Sequence, residues 1–453
     1  MENLIDSQRA YFNSNATKPV QFRLEQLKKL KALLLDNQSL LDQAIHQDYG
    51  KSRFETLLTE LFVVFDDIDT AIANLESWAS RKPVPTNMLN EPSSSFIMPE
   101  PLGLSLIIGP WNYPYQLSLA PLVAAIAAGC TVVLKPSELT ANSSGLLAKL
   151  LNEHFDRQYI AVVEGGVPVI TALLEQKFDK IFFTGSVPVG KIVYQAAAKH
   201  LTPVTLELGG KSPVIVMPGS DLDLSVKRVI WGKFLNSGQT CIAPDYVFVH
   251  KEIEAPFLEK LAEEIKLRDY SITNGNYVQI INERNLDRIL GMIDFSKVSY
   301  GGNHDKGTRY LEPTIMTKVT WEDKIMQDEI FGPVLPILEA FESLDDVIRQ
   351  IKDRPKPLAL YLFTNDESVK EKVLSEVSFG GGCINDTIMH ISNGALPFGG
   401  VGNSGIGSYH GEEGFKSFSH YKSIMEKPFI SEPDIKYSPY TPEKIAIMES
   451  LVG

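Results

Sequence analysis

From Leu104 onward, short runs of β-branched and aliphatic residues alternate with stretches of helical period. Strand-like runs at 104–108, 131–135, 161–164, 180–184 and 204–206 are separated by helix-like stretches at 117–128, 143–154, 169–176 and 187–199. This βαβα alternation implies a parallel sheet with helices on both faces. A second alternation starts at 213–216 and runs on through helices at 221–236, 252–267 and 367–377 and strands at 246–250, 358–364 and 382–385. A chain of 453 residues is too long for one core, so two large lobes are expected. Before residue 80 the pattern is helical. Phe22, Leu27, Leu30, Leu34 and Leu41 approximate one stripe, and a second pattern at 55–79 is stopped by Pro83 and Pro85.

The net charge of −13 argues against a nucleic-acid partner, because a phosphate backbone calls for a basic face. It suits a soluble enzyme that takes small substrates. Cys130, Cys241 and Cys383 cannot make a disulfide framework, which points to a reducing, cytoplasmic setting. Residues 1–9 carry acids and no apolar run, so no secretory leader is expected. No charge occurs from Pro101 to Leu134. Gly109, Pro110, Pro114, Pro121 and Gly129 interrupt that stretch. A buried strand, a loop and a buried helix are therefore expected, and no stable membrane anchor.

Chemistry-bearing residues gather where strands end. Lys135-Pro136-Ser137-Glu138 follows one strand, and ligands of open α/β sheets sit at the carboxyl ends of strands. Lys135 and Glu138 suit ribose hydroxyls there; a helix start capped by Ser137 is the alternative. Gly185-Ser186 follows another strand and opens a helix containing Gly190. Free N–H groups at a helix start favour a phosphate, yet the segment lacks the G-x-G-x-x-G pattern, and a plain turn serves equally. In Pro110-Trp111-Asn112-Tyr113-Pro114, Asn112 offers a neutral donor suited to a developing oxyanion. Glu207-Leu208-Gly209-Gly210-Lys211 sets a carboxylate beside two glycines, which admit a cofactor or simply make a tight turn. Cys130 and Cys383 read as small buried hydrophobes. Cys241 follows Ser237-Gly238-Gln239-Thr240, small polar neighbours that leave a sulfur open to a ligand. Reactive and inert readings of it both stand.

In this order, and with Glu329-Ile330-Phe331-Gly332-Pro333 and Leu396-Pro397-Phe398-Gly399-Gly400, the segments resemble the aldehyde dehydrogenase superfamily along nearly the whole chain. The length and Phe-Ser-His-Tyr-Lys-Ser at 418–423 most resemble its class 3 branch. The resemblance implies two doubly wound α/β domains, a Rossmann-like cofactor domain and a catalytic domain, plus a β-hairpin arm. It sets residues 1–80 and 102–206 in the NAD(P)-binding domain and 207–395 in the catalytic domain. Residues 81–101 and 396–453 become the arm and a C-terminal bridging segment, with a homodimer as the assembly.

The resemblance also implies roles. Cys241 becomes the nucleophile that forms a thiohemiacetal and then a thioester. The Asn112 amide and the Cys241 N–H hold the oxyanion. Glu207 is the first candidate for the hydrolytic base, and Glu329 the second. Lys135 and Glu138 hold the adenosine ribose, and Gly185, Ser186 and Gly190 the pyrophosphate turn. Leu208, Gly209, Glu329 and Phe331 lie by the nicotinamide. Glu138 favours NAD by repelling a 2′-phosphate, although class 3 members take NADP too. Val187-Pro188 departs from the common pattern, and the helix is expected to survive it. The substrate is a small-molecule aldehyde, medium-to-long aliphatic or aromatic. An enzyme passing the acyl group to coenzyme A is an alternative that Glu207 opposes, and a non-catalytic relative is another. No metal is expected, since the eight histidines are scattered.

Overall fold

A computed structural model describes residues 2–452. The chain divides into two compact units. The larger comprises the residues up to Ala79 and Glu100–His420; the smaller comprises Ser80–Pro99 and the residues from Tyr421 on.

The larger unit holds two extended sheets. In the first, strands Leu104–Ile108, Thr131–Lys135, Ile160–Val162, Lys180–Gly185 and Val204–Leu208 are parallel. Leu104–Ile108 lies at the centre, with Thr131–Lys135 on one side and Lys180–Gly185 on the other. The chain thus fills one side of the sheet and then crosses back to fill the other. That reversal opens a crevice at the carboxyl ends of the two strands, where doubly wound sheets bind ligands. Gly405–Ile406 closes the sheet antiparallel to Val204–Leu208. Leu104, Leu106, Ile108, Phe183, Leu206 and Leu208 build the core beneath it, packed on Val193 and Ala197.

The second sheet has seven strands. Six are parallel: Thr314–Val319, Val334–Leu338, Pro244–Val249, Ser212–Val216, Ala359–Phe363 and Gly381–Ile384. Val298–Tyr300 is antiparallel at the edge. Only residues 209–211 link the last parallel strand of the first sheet to Ser212–Val216 of the second, so Glu207 stands at the junction. Three of these strands escape the sequence pattern. Pro336 interrupts the run at 334–338, and proline within a run argues against a strand.

The charge-free stretch is a buried strand, a loop and the helix Gln116–Ala128, every residue of which is buried. Leu117, Leu119, Leu122 and Ile126 each contribute about 1.5–3 kcal/mol by leaving water. Among the described residues, no helix is long and apolar enough to cross a membrane.

The smaller unit carries the expected hairpin, Lys82–Val84 antiparallel to Ser94–Pro101, widened by a third strand, Ser419–Glu426. Residues 396–420, expected with the arm, cluster with the larger unit instead. Gly405–Ile406 pairs there with the strand that bears Glu207.

Candidate active site

The helix before the cysteine is shorter than its pattern suggests. It ends at Phe234, not near 236, because Asn236, Ser237 and Gly238 take left-handed backbone at φ 53°, 52° and 70°. Left-handed backbone costs an ordinary residue about 1–2 kcal/mol, so the turn needs outside support. Its own amides supply part of it. Asn236 Nδ2 donates to the carbonyls of Asn112 at 3.0 Å and Gln239 at 3.1 Å. Gln239 Nε2 donates to the carbonyls of Asn236 and Gln279, both at 3.1 Å, and Gln239 Oε1 accepts from Ile281 N–H at 3.0 Å. A Cβ on Gly238 would stand 2.4 Å from the carbonyl oxygen of Gly332, so only glycine lets this turn lie against the 329–333 loop.

The Asn112 loop is tied to the same turn. Asn112 is buried, and its Nδ2 donates to Gln239 O, two residues before Cys241, at 3.0 Å. A side-chain amide has two N–H bonds, so one remains for a substrate oxygen. The Tyr49 hydroxyl donates to Asn112 O at 3.0 Å. The Tyr113 hydroxyl meets Thr240 Oγ1 at 2.6 Å. The oxyanion donor and the cysteine are thereby held by one hydrogen-bonded unit.

Cys241 is half-buried, unlike fully buried Cys130. Burial, then the charges of Glu329 and Glu207, raise its thiol pKa; the N–H groups of Cys241 and Ile242 oppose that rise. Both carboxylates therefore act on the sulfur. Glu207 is 3% exposed, and neither carboxyl oxygen has a partner. Burial alone holds its carboxyl well above the usual carboxylate range. Glu329 is raised to about 8 by burial and by Asp245, against the Gly210 N–H, Lys211 and Arg288.

The Glu329 loop is braced by charges. Asp245 Oδ1 accepts from Ile330 N–H at 3.0 Å and pairs with Lys211. Lys211 Nζ also donates to the carbonyls of Ile325 at 3.0 Å and Asp328 at 2.9 Å. Arg288 donates to the carbonyl of Ile330 at 2.7 Å. Phe331, at φ 47°, packs edge-on to Trp111 with centroids 5.4 Å apart. Lys211 lay within a recognised segment, but Asp245, Arg288, Tyr49 and Asn236 carried no signal in the sequence.

The other positions lie at the ends of the first sheet. Lys135 Nζ, buried, pairs with the exposed carboxylate of Glu138 at 2.7 Å. Burial raises the Glu138 pKa, but the Lys135 hydrogen bond and charge outweigh it and leave the group lowered. Ser186 precedes the helix Val187–Ala198, whose start has no side-chain cap and carries a proline in its first turn. Gly185 and Gly190 both sit in tight packing. A Cβ on Gly185 would stand 2.6 Å from the Phe183 ring, and one on Gly190 2.6 Å from Leu208 Cδ2. Gly190 therefore lets helix meet strand. A Cβ on Gly209 would stand 2.0 Å from Glu329 Oε2. Gly209 keeps open the space that the carboxylate occupies. An uncapped helix start and an exposed carboxylate beside a buried lysine fit a dinucleotide laid across the strand ends.

Known proteins are similar to this chain over nearly its whole length. The profile of the aldehyde dehydrogenase family matches residues 1–424. A dimeric NADP-preferring aldehyde dehydrogenase of Rattus norvegicus is 46% identical over 426 residues, covering 94% of each chain. Aldehyde dehydrogenase family 3 member A2 of Mus musculus is 43% identical over 452 residues, covering 98% of this chain and 93% of its own. A solved structure of the substrate-bound state of Staphylococcus aureus AldH aligns with a TM-score of 0.97 at 43% identity, covering 100% of this chain and 99% of that one.

Proposed function

The chain belongs to the aldehyde dehydrogenase family, in its class 3 branch, and is an NAD(P)-dependent oxidoreductase acting on aldehydes; we propose that the reaction runs through a thioester on Cys241. The observation that carries this reading is the tie between Asn112 Nδ2 and Gln239 O, which sets an amide donor beside the cysteine turn.

The thiol must first lose its proton. Glu329 is the proposed acceptor, because a carboxyl raised to about 8 is part-ionised near neutral pH and basic enough to take the proton. The Cys241 sulfur attacks the aldehyde carbon and forms a thiohemiacetal alkoxide. The free N–H of Asn112 and the Cys241 main-chain N–H hold that oxygen. One such donor is worth about 2.7–4 kcal/mol. The bound nicotinamide supplies the acceptor for the hydride that leaves the substrate carbon. Cys241 then carries the acyl group as a thioester. Glu207, in its ionised form, is the base that takes the proton of the attacking water; neither of its oxygens is engaged by another side chain or by the backbone. The thiolate leaves, and the carboxylic acid departs.

Lys135 and Glu138 hold the adenosine ribose, and Ser186 with the following helix start holds the pyrophosphate. Gly185 and Gly190 shape that turn. Leu208, Gly209, Glu329 and Phe331 border the nicotinamide. Residues 1–80 and 102–206 form the cofactor domain, and 207–395 the catalytic domain. The assembly is a homodimer, in line with the relative named dimeric and with Met425, Phe429 and Ile430, exposed in the smaller unit. A cytoplasmic setting suits the three free cysteines.

A panel of aldehydes assayed with NAD and NADP in parallel tests the reading on wild type and Cys241→Ser. The variant should lose oxidation and keep cofactor affinity. Turnover at the wild-type rate in Cys241→Ser defeats the proposal.

A further inference from the structure

Behind the two catalytic loops lies a cluster of charge that the reaction itself does not use. Lys51, Glu55 and Glu60 are 1%, 8% and 0% exposed. Three ionisable groups so deeply buried need a function or a full set of partners. Lys51 directly precedes an irregular helix that carries both glutamates. Glu55 lies in Arg53–Thr56, and Glu60 in the π-helical turn Leu57–Leu61. Residues five apart on an α-helix point about 140° away from each other. The wider π turn brings both carboxylates inward, and such turns recur at functional sites.

Each carboxylate grips the backbone of a different catalytic loop. Glu60 Oε2 accepts from the N–H groups of Tyr115 at 3.0 Å and Gln116 at 2.9 Å. These open the helix Gln116–Ala128, which has no side-chain cap of its own, and they end the loop that bears Asn112. Glu55 Oε1 accepts from Asn236 N–H at 2.9 Å, at the first left-handed residue of the cysteine turn. Lys51 joins the two sides. Its Nζ donates to Glu60 Oε1 at 2.8 Å and stands 4.2 Å from the centroid of the Tyr113 ring, whose hydroxyl meets Thr240. Charge-assisted hydrogen bonds are roughly twice as strong as neutral ones. The cluster is therefore a stiff brace between the donor loop and the nucleophile turn.

We infer that Lys51, Glu55 and Glu60 are positioning residues that fix the Asn112 amide relative to the Cys241 sulfur. The inference rests on the roles proposed above for Asn112 and Cys241. Its consequence is that losing the brace slows acyl-enzyme formation by misplacing the oxyanion donor, and does so only while that donor exists. Misplacement of about 1 Å can cost a hundredfold in rate.

A double-mutant cycle tests this. Wild type, Glu60→Gln, Asn112→Ala and the double variant are compared by single-turnover NADH formation with NAD and the aldehyde that wild type oxidises fastest. NAD affinity is measured alongside. Glu60→Gln should slow the burst by about ten- to a hundredfold in the wild-type background. It should slow it less than twofold once Asn112 is alanine, with NAD affinity kept throughout. Equal slowing in both backgrounds means a general structural role and overturns the inference. So does an unchanged burst in Glu60→Gln. An unchanged burst in Asn112→Ala alone is a separate failure, since it removes the role of Asn112 and the inference with it. If Glu60→Gln does not fold, Lys51→Met/Glu55→Gln/Glu60→Met replaces it in the same cycle, because it leaves no lone buried ion. The same outcomes then decide.

Discussion

Glu207 and Glu329 both raise the thiol pKa of Cys241, but the chain builds them in differently. Glu207 sits in a strand, buried, with no hydrogen bond to either oxygen. Glu329 sits in a loop, takes a hydrogen bond from the Gly210 N–H, and lies among Asp245, Lys211 and Arg288. The strand fixes the backbone of Glu207, and burial raises its proton affinity. The loop lets several charges set Glu329 near neutrality. One site thus holds two carboxyl groups of different proton affinity, which lets two proton transfers run at one pH.

The sharpest way to break this contrast is to remove each carboxylate in turn. Glu207→Gln should cut steady-state turnover by about 10²–10⁴-fold while leaving the first burst of NAD(P)H intact, because only thioester hydrolysis needs it. A lost burst would assign Glu207 to the earlier step. Glu329→Gln should slow the burst itself by about ten- to a hundredfold, a smaller loss because solvent can still take the thiol proton. An undiminished burst in stopped flow would remove Glu329 from that step. Gly209→Ala should act in the same direction but more weakly, since its new methyl displaces the Glu329 carboxylate without deleting it. A pre-steady-state rate equal to wild type would show that the carboxylate's position is unimportant.

Two pH measurements refine the comparison. If Glu329 must be ionised, the burst rate should climb with pH through about 8 in wild type and lose that step in Glu329→Gln. A retained step places the titration elsewhere. The second measurement is of stability. Glu329 is raised in the folded chain from 4.5 to about 8, so the folded state binds the extra proton between those values. Its contribution is complete below about 4.5 and is lost as pH rises towards 8. Melting temperatures of Glu329→Gln should therefore gain on wild type across that window. A constant difference would contradict the raised pKa.

Much of this architecture was legible because buried parallel strands are short apolar runs. Leu104–Ile108 and Thr131–Lys135 are strands over the residues that their composition marks. The candidate segments were legible because they lie in the short connections between strands and helices. Their supports were not. Glu60 is 55 residues from Tyr115 in sequence, and Glu55 is 181 from Asn236, so neither pairing leaves a local pattern. Both glutamates sit inside what reads as an ordinary amphipathic helix. Gly190 shows the opposite case. It reads as part of a cofactor turn, while the space it saves is filled by Leu208. Asp245 and Arg288 act by closing a distant loop, which no spacing announces.

The thioester can be caught directly. Glu207→Gln is mixed with aldehyde and NAD(P), quenched during the burst and mapped by peptide mass spectrometry. The account requires one acyl group per subunit on the peptide containing Cys241. Unmodified Cys241 after a full burst, or acyl groups on Cys383 instead, would contradict it.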